Sequence, residues 1–100
     1  MAGVQFSRSA KADLLKMGAY TLQTWGAAQA ERYLGSLEQC ANLLAANPAL
    51  GRLCAWIRPG LRRFEKGKHV LFYRQVEGGI RISRILHQSM EPDGQLFESP

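Results

Sequence analysis

The sequence predicts an α+β fold: an N-terminal helical hairpin packed on one face of a small antiparallel β-sheet. Two observations carry most of this. Apolar residues recur at steps of three and four through the first half of the chain, broken at Gly26, which is the pattern of two amphipathic helices joined by a glycine. From His69 to His87 the pattern changes to two runs rich in β-branched and aromatic residues, Val70–Tyr73 and Ile80, Ile82, Ile85, Leu86, separated by Glu77-Gly78-Gly79. Paired glycines accept the positive φ that tight hairpins need, so this stretch reads as a β-hairpin. The 100 residues are expected to form one domain, with the helical hairpin at about 8–47 and the sheet at about 61–87.

Val4-Gln5-Phe6 alternates and suits an edge strand. Ser7 can cap the first helix, because its hydroxyl can accept from a free N–H of the first turn; Ser9 competes for that role. Ala10, Leu14, Met17, Thr21 and Trp25 form one stripe, widened by Leu15 and Leu22, and Gly26 ends the helix in a left-handed conformation. The second helix, about Ala27 to Ala46, carries a narrow seam of Ala27, Ala30, Leu34, Leu37, Ala41 and Leu44, flanked by Tyr33, Cys40 and Leu43. Asn47-Pro48 stops it, since the proline ring disfavours α geometry in the preceding residue. Residues 48–60 read as a loop punctuated by Pro48, Gly51, Pro59 and Gly60, yet Leu53, Cys54, Trp56 and Ile57 make it too apolar for a free linker, so it should fold back onto the domain. Leu61–Glu65 reads as a further strand, and Lys66-Gly67 as a tight turn into the hairpin. One register problem stands out. Regular alternation from Ile80 and Ile82 places Arg84 among apolar neighbours, which requires either a bulge or a partly buried arginine beside an acid.

Composition excludes several classes. Hydrophobic residues at 46% and charged residues at 21% are an ordinary globular balance. No apolar run approaches the roughly 20 residues of a membrane span, and the N-terminus lacks the apolar core of a signal peptide. Cys40 and Cys54 form no disulfide framework and no zinc spacing; they read as reduced packing residues of a cytoplasmic protein, and no metal or cofactor is expected. Charge is distributed unevenly. Residues 48–87 hold nine basic side chains against two acidic ones, +7 of a net +5, while Glu91, Asp93 and Glu98 make the tail acidic. Such a basic half implies an anionic partner, nucleic acid or an acidic protein segment.

Catalytic motifs are sparse: there is no G-x-S-x-G, P-loop or H-E-x-x-H pattern. Metal-free RNA cleavage would need a base, an acid and cationic donors for the phosphate. His87 can serve as acid or base, Glu65 as base, and Arg74, Arg81 and Arg84 can hold phosphate in bidentate fashion. Any basic sheet offers such a set, and a strand-end histidine is more often structural.

The Trp25-Gly26 junction followed by A-x-x-Y-L, the P-x-x-G-R of Pro48–Arg52, the P-G-L-R-R of Pro59–Arg63 and HVLFYR…IRISRILHQSM together resemble the ParE toxins of the RelE/ParE superfamily of toxin–antitoxin and plasmid-stabilisation systems, over about Phe6 to Leu96. The resemblance implies a RelE/ParE-like fold, inhibition of DNA gyrase by protein contact, and neutralisation by a ParD-type antitoxin that wraps the toxin. Contact with promoter DNA would be indirect, through the antitoxin complex. Trp25, Trp56, Ile57, Leu61, Arg62 and Arg63 are the expected antitoxin contacts; Arg74, Arg81, Arg84 and His87 are the expected target contacts. The same four would be the working set of the alternative, a ribosome-dependent mRNA endonuclease of the RelE branch, where Arg62, Arg63 and Lys68 also fall in the comparable strand region.

Overall fold

The structure, a computed structural model, describes residues 3–90 together with Pro92 and Phe97; the acidic tail positions Glu91, Asp93 and Glu98 lie outside them. The chain runs through β1 (Gly3–Phe6), α1 (Arg8–Trp25), α2 (Ala27–Ala46), a 3-10 turn (Pro48–Leu50), β2 (Arg52–Leu53), β3 (Arg62–Lys66), β4 (His69–Val76) and β5 (Gly79–His87). The helical hairpin and the strands at 62–87 follow the sequence pattern closely. Ser7 is the cap: its Oγ accepts the Ala10 N–H at 3.0 Å and donates to the Ser83 carbonyl at 2.7 Å, so one hydroxyl starts α1 and ties it to β5. Ser9 lies inside the helix. Gly26 separates the helices at φ 89 and ψ 171, a positive-φ but extended conformation in place of the expected left-handed one.

The sheet departs from expectation in two ways. It has five strands in the order β1-β5-β4-β3-β2, and β1 joins β5 in parallel, Val4 opposite Ile80 and Phe6 opposite Ile82, so the sheet is mixed. Gly79 allows this approach, because a Cβ there would overlap the Gly3 carbonyl. The segment read as a loop supplies a short strand: β2 pairs antiparallel with β3. It is pinned by Tyr73, whose buried hydroxyl accepts the Gly51 N–H at 2.8 Å and donates to the Pro48 carbonyl at 2.7 Å.

Two cores result. Ala10 and Met17 of α1, and Leu37, Ala41 and Leu44 of α2, pack against Leu71, Tyr73, Ile80, Ile82 and Ile85. On the opposite face Cys54, Leu61, Val70, Phe72, Leu86 and Phe97 form a second cluster with Ile57 at its margin. The 54–61 segment thus folds back as expected, but onto the face away from the helices. Both cysteines are buried, and burial pushes both thiols up, as befits packing residues.

The α1 stripe is narrower than its periodicity suggests: Leu15, Leu22 and Trp25 are 76%, 53% and 66% exposed. Asp13 is buried in their stead. The Arg84 problem is solved both ways at once. Phe72 pairs with Arg84 while Tyr73 pairs with Ile82, leaving Ser83 as an extra residue in β5. The bulge sends Ile85 to the helix-side core and Leu86 to the other. Arg84 meets an acid: its Nε and Nη2 donate to the two carboxylate oxygens of Asp13, each at 2.8 Å.

Candidate functional site

A groove of about 770 Å³ opens between the helices and β1. Its floor is Leu71, Ile82 and Ile85; α1 contributes Leu14 and Leu15, α2 contributes Leu34, Leu37 and Ala41, and β1 contributes Val4 and Phe6. Lys11, Glu38 and Asn42 are the polar groups at its margin. β1 is only four residues long, and the groove opens beside it, with Leu15 exposed and Val4, Phe6, Leu14 and Leu34 half-buried above core residues. An apolar floor with a few polar groups suits an amphipathic segment rather than a reacting substrate.

Beyond the second core cluster, the face of the sheet away from the helices carries arginines. Arg74 and Arg81 are direct cross-strand partners. Arg63 lies over the Phe72 ring at 5.5 Å and, with Arg52, reaches the exposed Glu65 at 3.6 and 3.4 Å. These exposed pairs contribute little energy; their effect is to keep one acid among several arginines. Arg62 points to the other side and is occupied as a brace, donating to the Gly51 carbonyl at 2.7 Å.

The four residues read as a target or cleavage set do not converge. Arg74 and Arg81 share the cationic face, whereas Arg84 is held by Asp13, which also takes the Ile85 N–H at 2.9 Å. β1 ends at Phe6 and its last bond to β5 is the Ser7 N–H on the Ile82 carbonyl, so the next outward amide of β5 would be unpaired without that carboxylate. The hydrogen bond to Asp13 pushes the Arg84 guanidinium further above its ordinary value, and this side chain acts as a structural clamp. His87 faces the helix side, edge-on to His69 with ring centroids 5.5 Å apart. Glu65, the other base considered, is on a different strand and paired with arginines. Among the described residues no group of three or more His, Cys, Asp or Glu could hold a metal ion. No described helix is long and apolar enough to cross a membrane.

Comparison with known proteins decides the family. Residues 4–92 match the family described as ParE toxin of type II toxin-antitoxin system, parDE. Toxin ParE1 of Mycobacterium tuberculosis is 45% identical over 91 residues, covering 90% of this chain and 93% of the relative. Toxin ParE1 of Caulobacter vibrioides is 40% identical over 96 residues, covering 96% and 99%. This chain belongs to the ParE toxin family. A solved structure described as a chromosomal ParDE TA system from P. aeruginosa aligns with a TM-score of 0.71 at 24% identity, covering 87% of this chain and 96% of that one, and so shares the ParE fold.

The residues expected to meet an antitoxin fall into three groups in this ParE toxin. Trp25 and Trp56 are exposed at 66% and 76%. Ile57 is half-buried at the margin of the second core, and Arg62 and Arg63 are half-buried beside β2. Leu61, expected as an antitoxin contact, is instead buried in that core and offers no surface. Helical periodicity alone makes Leu14, Leu15 and Leu34 packing positions, yet in this ParE toxin they line the groove. The signal that separates them is the shortness of the strand meant to cover them, which periodicity within the helices does not carry.

Proposed function

We propose that this ParE toxin acts by protein contact, inhibiting DNA gyrase in the cytoplasm without making or breaking bonds, and that a ParD-type antitoxin neutralises it by seating an apolar segment in the groove between α1, α2 and β1. The observation that carries the neutralisation is the groove itself: an open trough of aliphatic side chains in a protein whose family is defined by paired toxins and antitoxins. A second antitoxin contact fits the free edge of β2, where Leu50, Leu53 and Trp56 are 49%, 52% and 76% exposed and Ile57, Arg62 and Arg63 lie alongside. A chain that covers both would wrap the toxin, and its acidic residues would meet the arginines of β2 and β3. DNA then enters only through the antitoxin's own DNA-binding half.

The gyrase reading rests on family membership, with the Arg74–Arg81 pair on the cationic face as its physical support. Target contact is therefore assigned to Arg74 and Arg81, and not to Arg84, whose side chain is committed to Asp13. The nuclease alternative needs its acid, base and phosphate donors around one phosphate, and their separation counts against it.

Two measurements test the pair of claims. Purified protein should inhibit gyrase supercoiling, with Arg74→Ala/Arg81→Ala weaker by about tenfold or more, as expected for losing two charged contacts; unchanged supercoiling at large molar excess ends the gyrase reading. Leu15→Asp should weaken antitoxin binding by about tenfold or more, because it places a charge in an apolar groove. Unaltered affinity would move the antitoxin elsewhere.

A further inference from the structure

A second groove, of about 560 Å³, opens at the far end of the helical hairpin and is built from different chemistry. Two ridges of α1 form one wall, Lys16–Tyr20 and Thr21–Trp25, each pair four residues apart and so on one helix face. Tyr33 of α2, Lys68 of the β3–β4 turn, His69 and His87 complete it, and among the described residues no Asp or Glu lines it. The cross-strand pairing of His69 with His87 brings the two imidazoles together. In both rings Nδ1 is already engaged: in His69 with the Tyr33 hydroxyl at 2.6 Å, in His87 as acceptor from the Ser89 N–H at 3.1 Å. Each ring is thereby fixed, and among the described residues neither Nε2 has a hydrogen-bond partner. Gly67 makes room for Tyr33 against the turn, since a Cβ there would come within 2.9 Å of its ring. Lys16 and Lys68 form no ion pair among the described residues. Tyr20 and Trp25 each stand 66% exposed at the rim.

We infer that this groove is a nucleotide site, in which a base stacks on Trp25 or Tyr20 while its phosphate is held by Lys16, Lys68 and the imidazole Nε2 atoms. Two exposed aromatic rings beside four nitrogen groups, with no carboxylate among the described lining residues, are what a base carrying a phosphate requires: a π-face and a cluster of donors. An acidic peptide would use the lysines and imidazoles but not the exposed rings. The same unit can arrive as a free mononucleotide or within a single strand, and the groove lies apart from the Arg74–Arg81 face and from the antitoxin groove. The inference therefore stands whether or not the gyrase reading does.

The test uses the full chain carrying Trp56→Phe, which leaves Trp25 as its one tryptophan. Its fluorescence is titrated with AMP, with a single-stranded thymidine hexanucleotide, and with a glutamate hexapeptide. Quenching by AMP or by the hexanucleotide supports the site and tells a free nucleotide from a strand. Lys68→Ala should weaken that binding about fivefold or more, and Tyr20→Ala, in an otherwise intact chain, by a similar factor, the scale of one lost stacking or phosphate contact. Circular dichroism confirms that each variant folds. No quenching by either nucleotide probe overturns the inference, as does equal or tighter binding of the glutamate peptide. Loss of binding on Arg74→Ala with none on Lys68→Ala would place the nucleotide on the other face and also overturn it.

Discussion

At the scale of single residues, the Asp13 carboxylate has the most to lose. It neutralises Arg84 and satisfies the Ile85 N–H, and both it and the arginine are shielded from solvent. Asp13→Ala strands a charge and an amide together, so stability should fall by about 3 kcal/mol, read as a lower urea midpoint. Adding Arg84→Ala should recover part of that loss, because the stranded charge is gone. Sequence reading reached Arg84, since a break in alternation is visible, but not its partner. Asp13 sits three after Ala10 and four before Met17, inside the buried stripe, and that placement was its only signal. His69 gives a pH prediction. Burial, and then the neighbouring His87, lower its pKa from 6.5, against a smaller opposing effect of Asp13. The unfolded chain thus takes up its proton first as pH falls. This contribution is intact above pH 6.5 and is lost as pH drops through the lower folded value. Melting temperature should decline between about pH 7 and 5.5, and decline less in His69→Gln.

At the scale of elements, β1 depends on its neighbours more than on itself. Gly79→Ala should detach it by colliding with Gly3, exposing Ile80 and Ile82; faster hydrogen exchange at the Gly3 and Ser7 amides, which donate to the Gly78 and Ile82 carbonyls, would register it. Ser7→Ala removes a cap and the tie to Ser83, and should cost about 1–2 kcal/mol in thermal or urea unfolding. The helices and the β4–β5 hairpin were legible because their signals are local: spacing of three and four, alternation, a Gly-Gly turn. The parallel pairing of β1 was not. Its partner lies 76 residues away, and nothing within Val4-Gln5-Phe6 distinguishes a parallel from an antiparallel edge. β2 was hidden for a related reason. Two residues are too few to show a period, and what places them is the Tyr73 hydroxyl, a side chain from another strand.

At the scale of the whole molecule, a sheet covered on one face by helices and on part of the other by the 54–61 segment leaves three separate surfaces: an aliphatic groove, an arginine face, and the aromatic and imidazole groove. The basic bias of the second half was legible, but composition did not show that Arg62, Arg63 and Arg84 are occupied as braces, stacked groups and clamps. A partner that binds only the folded chain raises its stability by mass action, so antitoxin at about one hundred times its Kd should add about 2.7 kcal/mol, seen as a concentration-dependent rise in Tm. A flat Tm would mean that binding does not favour the folded toxin. The surplus residue at Ser83 also sets a rule for how the gene can vary. Removing that codon alone restores simple alternation and keeps every other side chain of β5 on its present side. Removing the codon for Arg81 instead would turn over everything to one side of the gap, so the last strand carries one spare letter and no more.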